Sequence, residues 1–469
     1  MQGPVWKYFY EISGIPRGSG NEEGIRRYIL EFADKHRLDA ERDKAGNVVI
    51  RKPGSPGREN EPALAIQGHL DMVCEKNGDV DHDFKKDPIK LVTEGGWLTA
   101  DGTTLGADNG IAVAMGMALL ADDTISRPPL EMLFTVDEES GMTGAFGLQK
   151  GFISAGRLIN LDSEEEGYFY IGCAGGIHTD GKLKFKLAVP QDGFSHVNCS
   201  VTGLNGGHSG MEINRGLGNA IRIAGLVLDS YPGELLISSM KGGEKANAIP
   251  RECAAGLYVD DPEAFASYLV SVKSGLAGQY PLDTRINIGM TPSKGGKCLS
   301  AESTKRLLGL ITSVPNGPLS MDPHIEGLVE TSSNLASVKL SDGICRIVTS
   351  QRSSDTEKLN DVKQRIAEEI RKAGGSASFE SGYPGWKPDP DSPLLEIAKK
   401  AYESFAGVPP VVTAVHAGLE CGLLGERFPG LDMISFGPDI LGAHSPDEKV
   451  NIASVGRTWE YLLVLLESV

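Results

Sequence analysis

The sequence predicts an α/β protein: a mixed, mostly parallel sheet flanked by helices, with an α+β domain inserted into it. Three observations predict it. Short uninterrupted apolar runs alternate with helical periodicity in residues 1–181, half-buried period-two strands take over in 182–384, and the first texture returns in 385–469. In order, helices span 5–13 and 22–37, the second with Asn21 as N-cap and acidic residues in its first turn. A hairpin covers 39–43 and 48–52 and turns at Ala45-Gly46-Asn47. After a Pro- and Gly-rich loop, the short apolar run 63–67 reads as a strand covered on both faces, and it leads straight into Gly68-His69-Leu70-Asp71. A helix over 111–120, a strand over 130–136 ending in Asp137-Glu138-Glu139, and a strand over 157–161 ending in Asp162 continue the alternation. In the insert, strands such as 182–187 and 196–201 alternate with helices over 219–230, 262–277, 301–312 and 356–372, as two sheet-plus-helix units in succession. No sequence repeat relates them. A proline-dense connector, 383–393, precedes helices over 394–405 and 418–424, a strand over 431–436 and an amphipathic helix over 454–467.

Composition narrows the functions. The 469 residues suit two domains, and 46 Lys plus Arg against 63 Asp plus Glu give a net charge of −17. Such a field repels phosphate backbones and anionic lipid, so neither nucleic acid nor membrane is an expected partner. No apolar run approaches the ~18 to 20 residues needed to span a bilayer. Lys7 and Glu11 interrupt the stretch a secretory signal would need, which predicts a cytoplasmic protein. The 7 cysteines are odd in number, scattered and never spaced Cys-x-x-Cys, as expected of reduced packing thiols. Cys74 has no identifiable histidine partner and is not read as a nucleophile. Lys294-Gly-Gly-Lys297 lacks phosphate-loop spacing and is followed by Cys298, which removes the nucleotide-binding reading.

The chemistry concentrates where an open parallel sheet binds ligands, beyond the carboxyl ends of its strands. His69, Asp108, Glu139, Asp162 and His444 all fall at such ends or in the following loops. Singly each is a common capping or surface residue; together, two histidines and three carboxylates suit a pair of divalent ions, zinc foremost, with cobalt or manganese as alternatives. One carboxylate would bridge them. Glu138 and Glu139 are adjacent and reach one site only if the strand ends there, and Ser140-Gly141-Met142-Thr143-Gly144 supplies the turn. One glutamate then ligates while its neighbour stays free as a base. Asp71, two residues past His69, is placed to accept the other imidazole N–H.

The chain closely resembles the cytosolic non-specific dipeptidases, also called aminoacyl-histidine or β-alanyl-histidine dipeptidases, of the co-catalytic dizinc exopeptidase clan. The likeness spans nearly the whole chain. Its most specific stretches are Gln67-Gly-His-Leu-Asp-Met72, Gly106-Ala-Asp-Asn-Gly110, Thr135-Val-Asp-Glu-Glu139, Asn205-Gly-Gly-His-Ser-Gly210, Val329-Glu-Thr-Ser-Ser-Asn334, His416-Ala-Gly-Leu-Glu-Cys-Gly422 and Gly442-Ala-His-Ser-Pro-Asp447. The resemblance implies that Asp108 bridges two metals, that His69 and Asp162 complete one and that Glu139 and His444 complete the other. It further implies Glu138 as general base acting on a bridging hydroxide, Asp71 as support for His69, a cis peptide after Asp108, and the insert as a lid that brings His208 to the oxyanion. Whether His208 serves its own chain or a neighbour's, in a homodimer, stays open. Dipeptide hydrolysis is the expected activity. It also requires recognition of both substrate ends, for which Arg352, assisted by Asn247, is the candidate for the carboxylate and Glu420 for the amine. An N-acyl-amino-acid deacylase would use the same metals with a different pocket. A non-catalytic peptide-binding protein would have no use for Glu138 beside Glu139.

Overall fold

The apolar run at 63–67 forms the strand Leu64–His69, every residue of which is buried. It is covered on one face by the helix Ala107–Ala121, whose residues are almost all buried, as expected of a helix apolar on every side. Gly68 permits their close approach: a Cβ there would lie 2.5 Å from Asn109 Oδ1 and 2.7 Å from the Ala112 methyl. The computed structural model describes residues 2–190, 192–380 and 382–469. It separates into two compact units. The first comprises Met1–Gly172, Trp386–Ala414 and Leu419–Val469, and the second Cys173–Gly385 and Val415–Gly418. The strand Gly175–Lys184 therefore lies in the second unit over its whole length, beginning ahead of residue 182.

The first unit is built on an eight-stranded mixed sheet. Its centre is parallel and runs Leu130–Thr135, Leu64–His69, Arg157–Asn160, Asp432–Ser435. Antiparallel strands flank that centre, the hairpin Asp39–Arg42/Val48–Lys52 on one side and Tyr168–Cys173 on the other. The helix Glu23–His36 starts without Asn21 as its cap. Glu22 holds the cap position, and its carboxylate accepts from the amides of Gly20 and Asp137, a tertiary contact that displaces the local one. A second, four-stranded sheet pairs Leu91–Glu94 and Trp97–Ala100 with Lys449–Asn451 and Ile440–Leu441. His444 sits at the tip of the hairpin between the last two. Among the described residues no helix is long and apolar enough to cross a membrane.

The second unit contains one nine-stranded sheet, not two separate ones. Its chain order resolves into two β-α-β-β-α-β modules. One uses Ser195–Thr202, helix Ala220–Asp229, Leu235–Gly242, Cys253–Val259, helix Pro262–Gln279 and Asn287–Pro292. The other uses Gly175–Lys184, helix Ala301–Ser313, Val329–Ser341, Ile344–Ser353, helix Thr356–Lys372 and Ser376–Phe379, with the first module spliced in after its first strand. Each lies in the spatial order 4-1-3-2. They meet edge to edge where Met240, Lys241 and Gly242 pair antiparallel with Leu340, Lys339 and Val338. Leu257, fully buried in the first module, belongs to the core shared beneath this sheet. Leu257→Ala is expected to cost about 2–5 kcal/mol and to lower the urea midpoint, whereas a loss below about 1 kcal/mol would contradict a close-packed core.

Candidate metal centre

His69 ends its strand, and the chain turns at once because Arg17, buried beneath, donates through Nη1 to the carbonyls of Leu70 and Asp71 and through Nη2 to that of Gly106. Asp108 lies in the first turn of Ala107–Ala121 but departs from helical geometry, and the bond following it is cis. Asn109 ties the neighbouring pieces: its Oδ1 accepts from the His69 amide at 3.3 Å and its Nδ2 donates to the Leu161 carbonyl at 2.9 Å, beside Asp162. Past Thr135, Asp137 takes a left-handed conformation and the chain winds into the short helix Glu138–Gly141. Both glutamates of the pair thereby turn toward the same side.

The five expected donors converge. His69 Nε2 lies 3.1 Å from Asp108 Oδ1 and 3.3 Å from Asp162 Oδ1. His444 Nε2 lies 3.2 Å from Asp108 Oδ2 and 2.9 Å from Glu139 Oε2. Two triplets result, His69/Asp108/Asp162 and Asp108/Glu139/His444, each with donor atoms within 4.8 Å of one another, and Asp108 belongs to both. Glu138 forms a further such group with His69 and Glu139. Asp71 is fully buried. Its Oδ1 lies 3.3 Å from His69 Nδ1, which is also 3.2 Å from the Asp71 carbonyl. Its two oxygens accept from the amides of Glu138 at 3.0 Å and Glu139 at 3.1 Å, and from Ser19 Oγ at 2.8 Å. One carboxylate thus orients the imidazole and the acidic turn together.

Electrostatics follow from burying so many acids. Burial drives the Glu138 carboxyl well above its ordinary range; His69 opposes this, while Asp162, Glu420 and Glu139 add to it. Burial likewise raises Asp162 to about 6, and Glu164 to about 8 with Asp108 and Asp162 contributing. Hydrogen bonds that His444 donates to Asp108 and Glu139 raise its imidazole to about 11. Two buried oxygens accept no hydrogen bond: Glu139 Oε1, and Asp162 Oδ1, which lies 3.3 Å from His69 Nε2 while that nitrogen bonds Asp108. Imidazole and carboxylate donors in two triplets with a shared carboxylate, and buried oxygens lacking donors, fit a pair of divalent cations.

Glu420 is fully enclosed, with Oε2 held by Gln67 Nε2 at 2.6 Å and Thr135 Oγ1 at 2.5 Å. This corrects the expectation of a group presented to a substrate amine: the carboxylate is turned into the sheet, where two neighbouring strands claim it.

In the second unit His208 is half-buried, and its Nδ1 accepts from the amides of Gly210 and Met211 at 3.3 and 3.1 Å, leaving the proton on Nε2. Arg352 is buried and donates through Nη1 to Tyr383 Oη at 3.0 Å; among the described residues it makes no ion pair. Asn247 is exposed, and its backbone carbonyl accepts from the Ser209 amide at 2.9 Å. Sequence reasoning missed Arg17, Tyr383 and His416. Of these only His416 stood in a singled-out motif, and nothing local marks any of them, since their partners lie far along the chain. His416 is buried, shares a 2.7 Å hydrogen bond with Ser332 Oγ, and is pressed down to about 3 by burial and then by Arg352.

The fold and the paired donor triplets define a hydrolase-type α/β architecture with a dinuclear donor set. The chain belongs to Peptidase family M20/M25/M40, whose model matches residues 65–468. It is 39% identical over 473 residues to the cytosol non-specific dipeptidase of Escherichia coli (strain K12), covering 99% of this chain and 97% of that one. The aminoacylhistidine dipeptidase of Vibrio alginolyticus superposes with a TM-score of 0.93 at 38% identity, over 99% of this chain and 96% of that structure. Aminopeptidase PepT of Bacillus cereus, at 16% identity and a TM-score of 0.58 over 99% and 98% of the two chains, shares the fold.

Because His416 stays neutral when folded, the unfolded chain binds the extra proton below about pH 6.5. Its contribution is complete above that pH and fades as pH falls toward 3, by up to about 1.4 kcal/mol per pH unit. His416→Gln is expected to flatten this part of the pH dependence in urea denaturation, and an unchanged slope would count against neutral burial.

Proposed function

We propose that this chain is a metal-dependent dipeptidase of broad specificity, including Xaa-His and β-Ala-His substrates, with His69, Asp108 and Asp162 holding one divalent cation and Asp108, Glu139 and His444 holding the other. The observation that carries the reading is the double engagement of Asp108, whose two oxygens face different histidines at 3.1 and 3.2 Å. Zinc suits the mixture of imidazole and carboxylate, with cobalt or manganese as substitutes. When bound, such a pair polarises the scissile carbonyl and lowers the pKa of water from ~15.7 toward ~7.

The protein's own groups do the rest. Glu138, held beside His69 and Glu139 and raised in pKa, takes the proton of the attacking water and returns it to the departing amine. Asp71 keeps the His69 ring and the Glu138 turn in register. His208, with its proton on Nε2, donates to the developing oxyanion. Arg352 receives the substrate's terminal carboxylate, a role supported by its buried guanidinium, which makes no ion pair among the described residues, and Asn247 assists from its exposed position. The full-length likeness to two named dipeptidases supports the substrate class, and the E. coli protein's cytosolic designation supports a cytoplasmic setting.

Gly-Leu and β-Ala-His are expected to be hydrolysed, with activity lost on chelation and restored by zinc; turnover of N-acetyl amino acids alone would overturn the reading. Glu138→Gln should retain both metals while kcat falls by about 10²-fold or more. Arg352→Ala should raise KM for dipeptides about 10- to 100-fold and leave dipeptide amides unaffected, whereas an equal effect on both would remove Arg352 from carboxylate binding.

A further inference from the structure

We infer that Glu448 is the positioning residue for the shared carboxylate: its side chain clamps four consecutive backbone amides of the turn that presents Asp108. Oε2 accepts from Leu105 N at 2.7 Å and Gly106 N at 2.9 Å, and Oε1 from Ala107 N at 2.7 Å and Asp108 N at 3.3 Å. A carboxylate is suited to this task. It offers two oxygens and about four lone-pair sites, accepts only, and carries the charge that makes bonds to N–H groups strong. An amide side chain keeps one acceptor oxygen and would turn donor hydrogens toward two donors.

The turn is shaped to receive it. Gly106 has φ +71, and a Cβ there would lie 2.5 Å from Arg17 Nη2 and 2.8 Å from Met72 Sδ. That left-handed residue aims successive N–H groups at one point, forming an anion-binding concavity of backbone amides. Both partners are buried, Glu448 at 2% exposure and Leu105 and Ala107 at 1% and 0%. No water can therefore replace a missing acceptor cheaply.

Glu448 lies four residues beyond His444, on the same hairpin. The Glu448 amide donates to the Ser445 carbonyl at 3.1 Å, and the Glu448 carbonyl accepts from Thr99 Oγ1 at 2.7 Å on the adjoining strand. The side chain of Glu448 thus fastens the hairpin bearing His444 to the turn bearing Asp108, which joins one half of the proposed dinuclear site to the group shared by both. A displacement of this carboxylate propagates to both triplets, though Glu448 itself belongs to neither.

The inference rests on the dinuclear reading, and cobalt(II) titration separates the two. Wild type is expected to bind two cobalt ions per chain; failure to do so rejects the dinuclear reading itself. Glu448→Asp keeps the charge but withdraws the carboxylate by one methylene. It should fold with an unchanged far-ultraviolet spectrum, show an altered visible cobalt band, and bind cobalt about 10- to 100-fold more weakly. Glu448→Gln, where folded, should be weaker still. Overturning results are a folded Glu448→Asp protein with wild-type cobalt affinity and spectrum, or failure of both variants to fold, which would assign Glu448 to the scaffold alone.

Discussion

The constraint on which the first unit depends is the burial of several carboxylates within a few ångströms of each other. Two unit charges of like sign at 4 Å repel by about 4 kcal/mol even at an effective dielectric of 20. Asp108, Glu138, Glu139 and Asp162 would separate if they were free. They are kept together because the backbone has nowhere else to go: parallel strands set side by side bring the exits of Leu64–His69, Leu130–Thr135 and Arg157–Asn160 to one edge, and the start of the helix Ala107–Ala121, tied to His69 and Leu161 through Asn109, adds Asp108. The cohesion of the sheet maintains the charge cluster. Burial first, and the neighbouring acids after it, hold the Glu138 and Asp162 carboxyls above their ordinary range, whereas the two histidines hold Asp108 below it; a pair of divalent cations is the chemistry that relieves such a cluster.

Much of this was legible because short local patterns carry it. An apolar run followed by a polar residue announces a buried strand and its exit, which is why His69 and Asp162 could be read from the sequence. The glycine-flanked Asp108 and the paired glutamates likewise announce turns. Expectation failed where a distant partner decides. Asn21 is a good cap by local rules, yet Glu22 takes the position because Asp137, more than a hundred residues later, needs an acceptor. The four-stranded sheet joins Trp97–Ala100 to Lys449–Asn451, and no periodicity in either segment predicts the other. Glu420, expected at a substrate amine, is instead held by Gln67 and Thr135, partners that the folded sheet supplies from far along the chain.

The second unit shows why a repeated architecture can leave no trace in sequence. What repeats is the order of elements and their 4-1-3-2 placement, which many sequences satisfy, and one module is interrupted by the other after its first strand. The joint between modules also has a physical reason. An unpaired strand edge invites association with other chains, and each module's second strand would expose such an edge. Pairing residues 240–242 with 338–340 covers part of both edges, and the strand Gly317–Met321 covers residues 329–333 on the second.

The two units carry opposite imbalances of charge. In the first, buried carboxylates outnumber the cationic groups near them. In the second, the buried guanidinium of Arg352 has Tyr383 as its side-chain partner, and its charge helps hold His178, His208 and His416 below their ordinary pKa values. Keeping these imidazoles neutral prevents a buried concentration of positive charge, but none of them neutralises the guanidinium. A carboxylate-bearing ligand would.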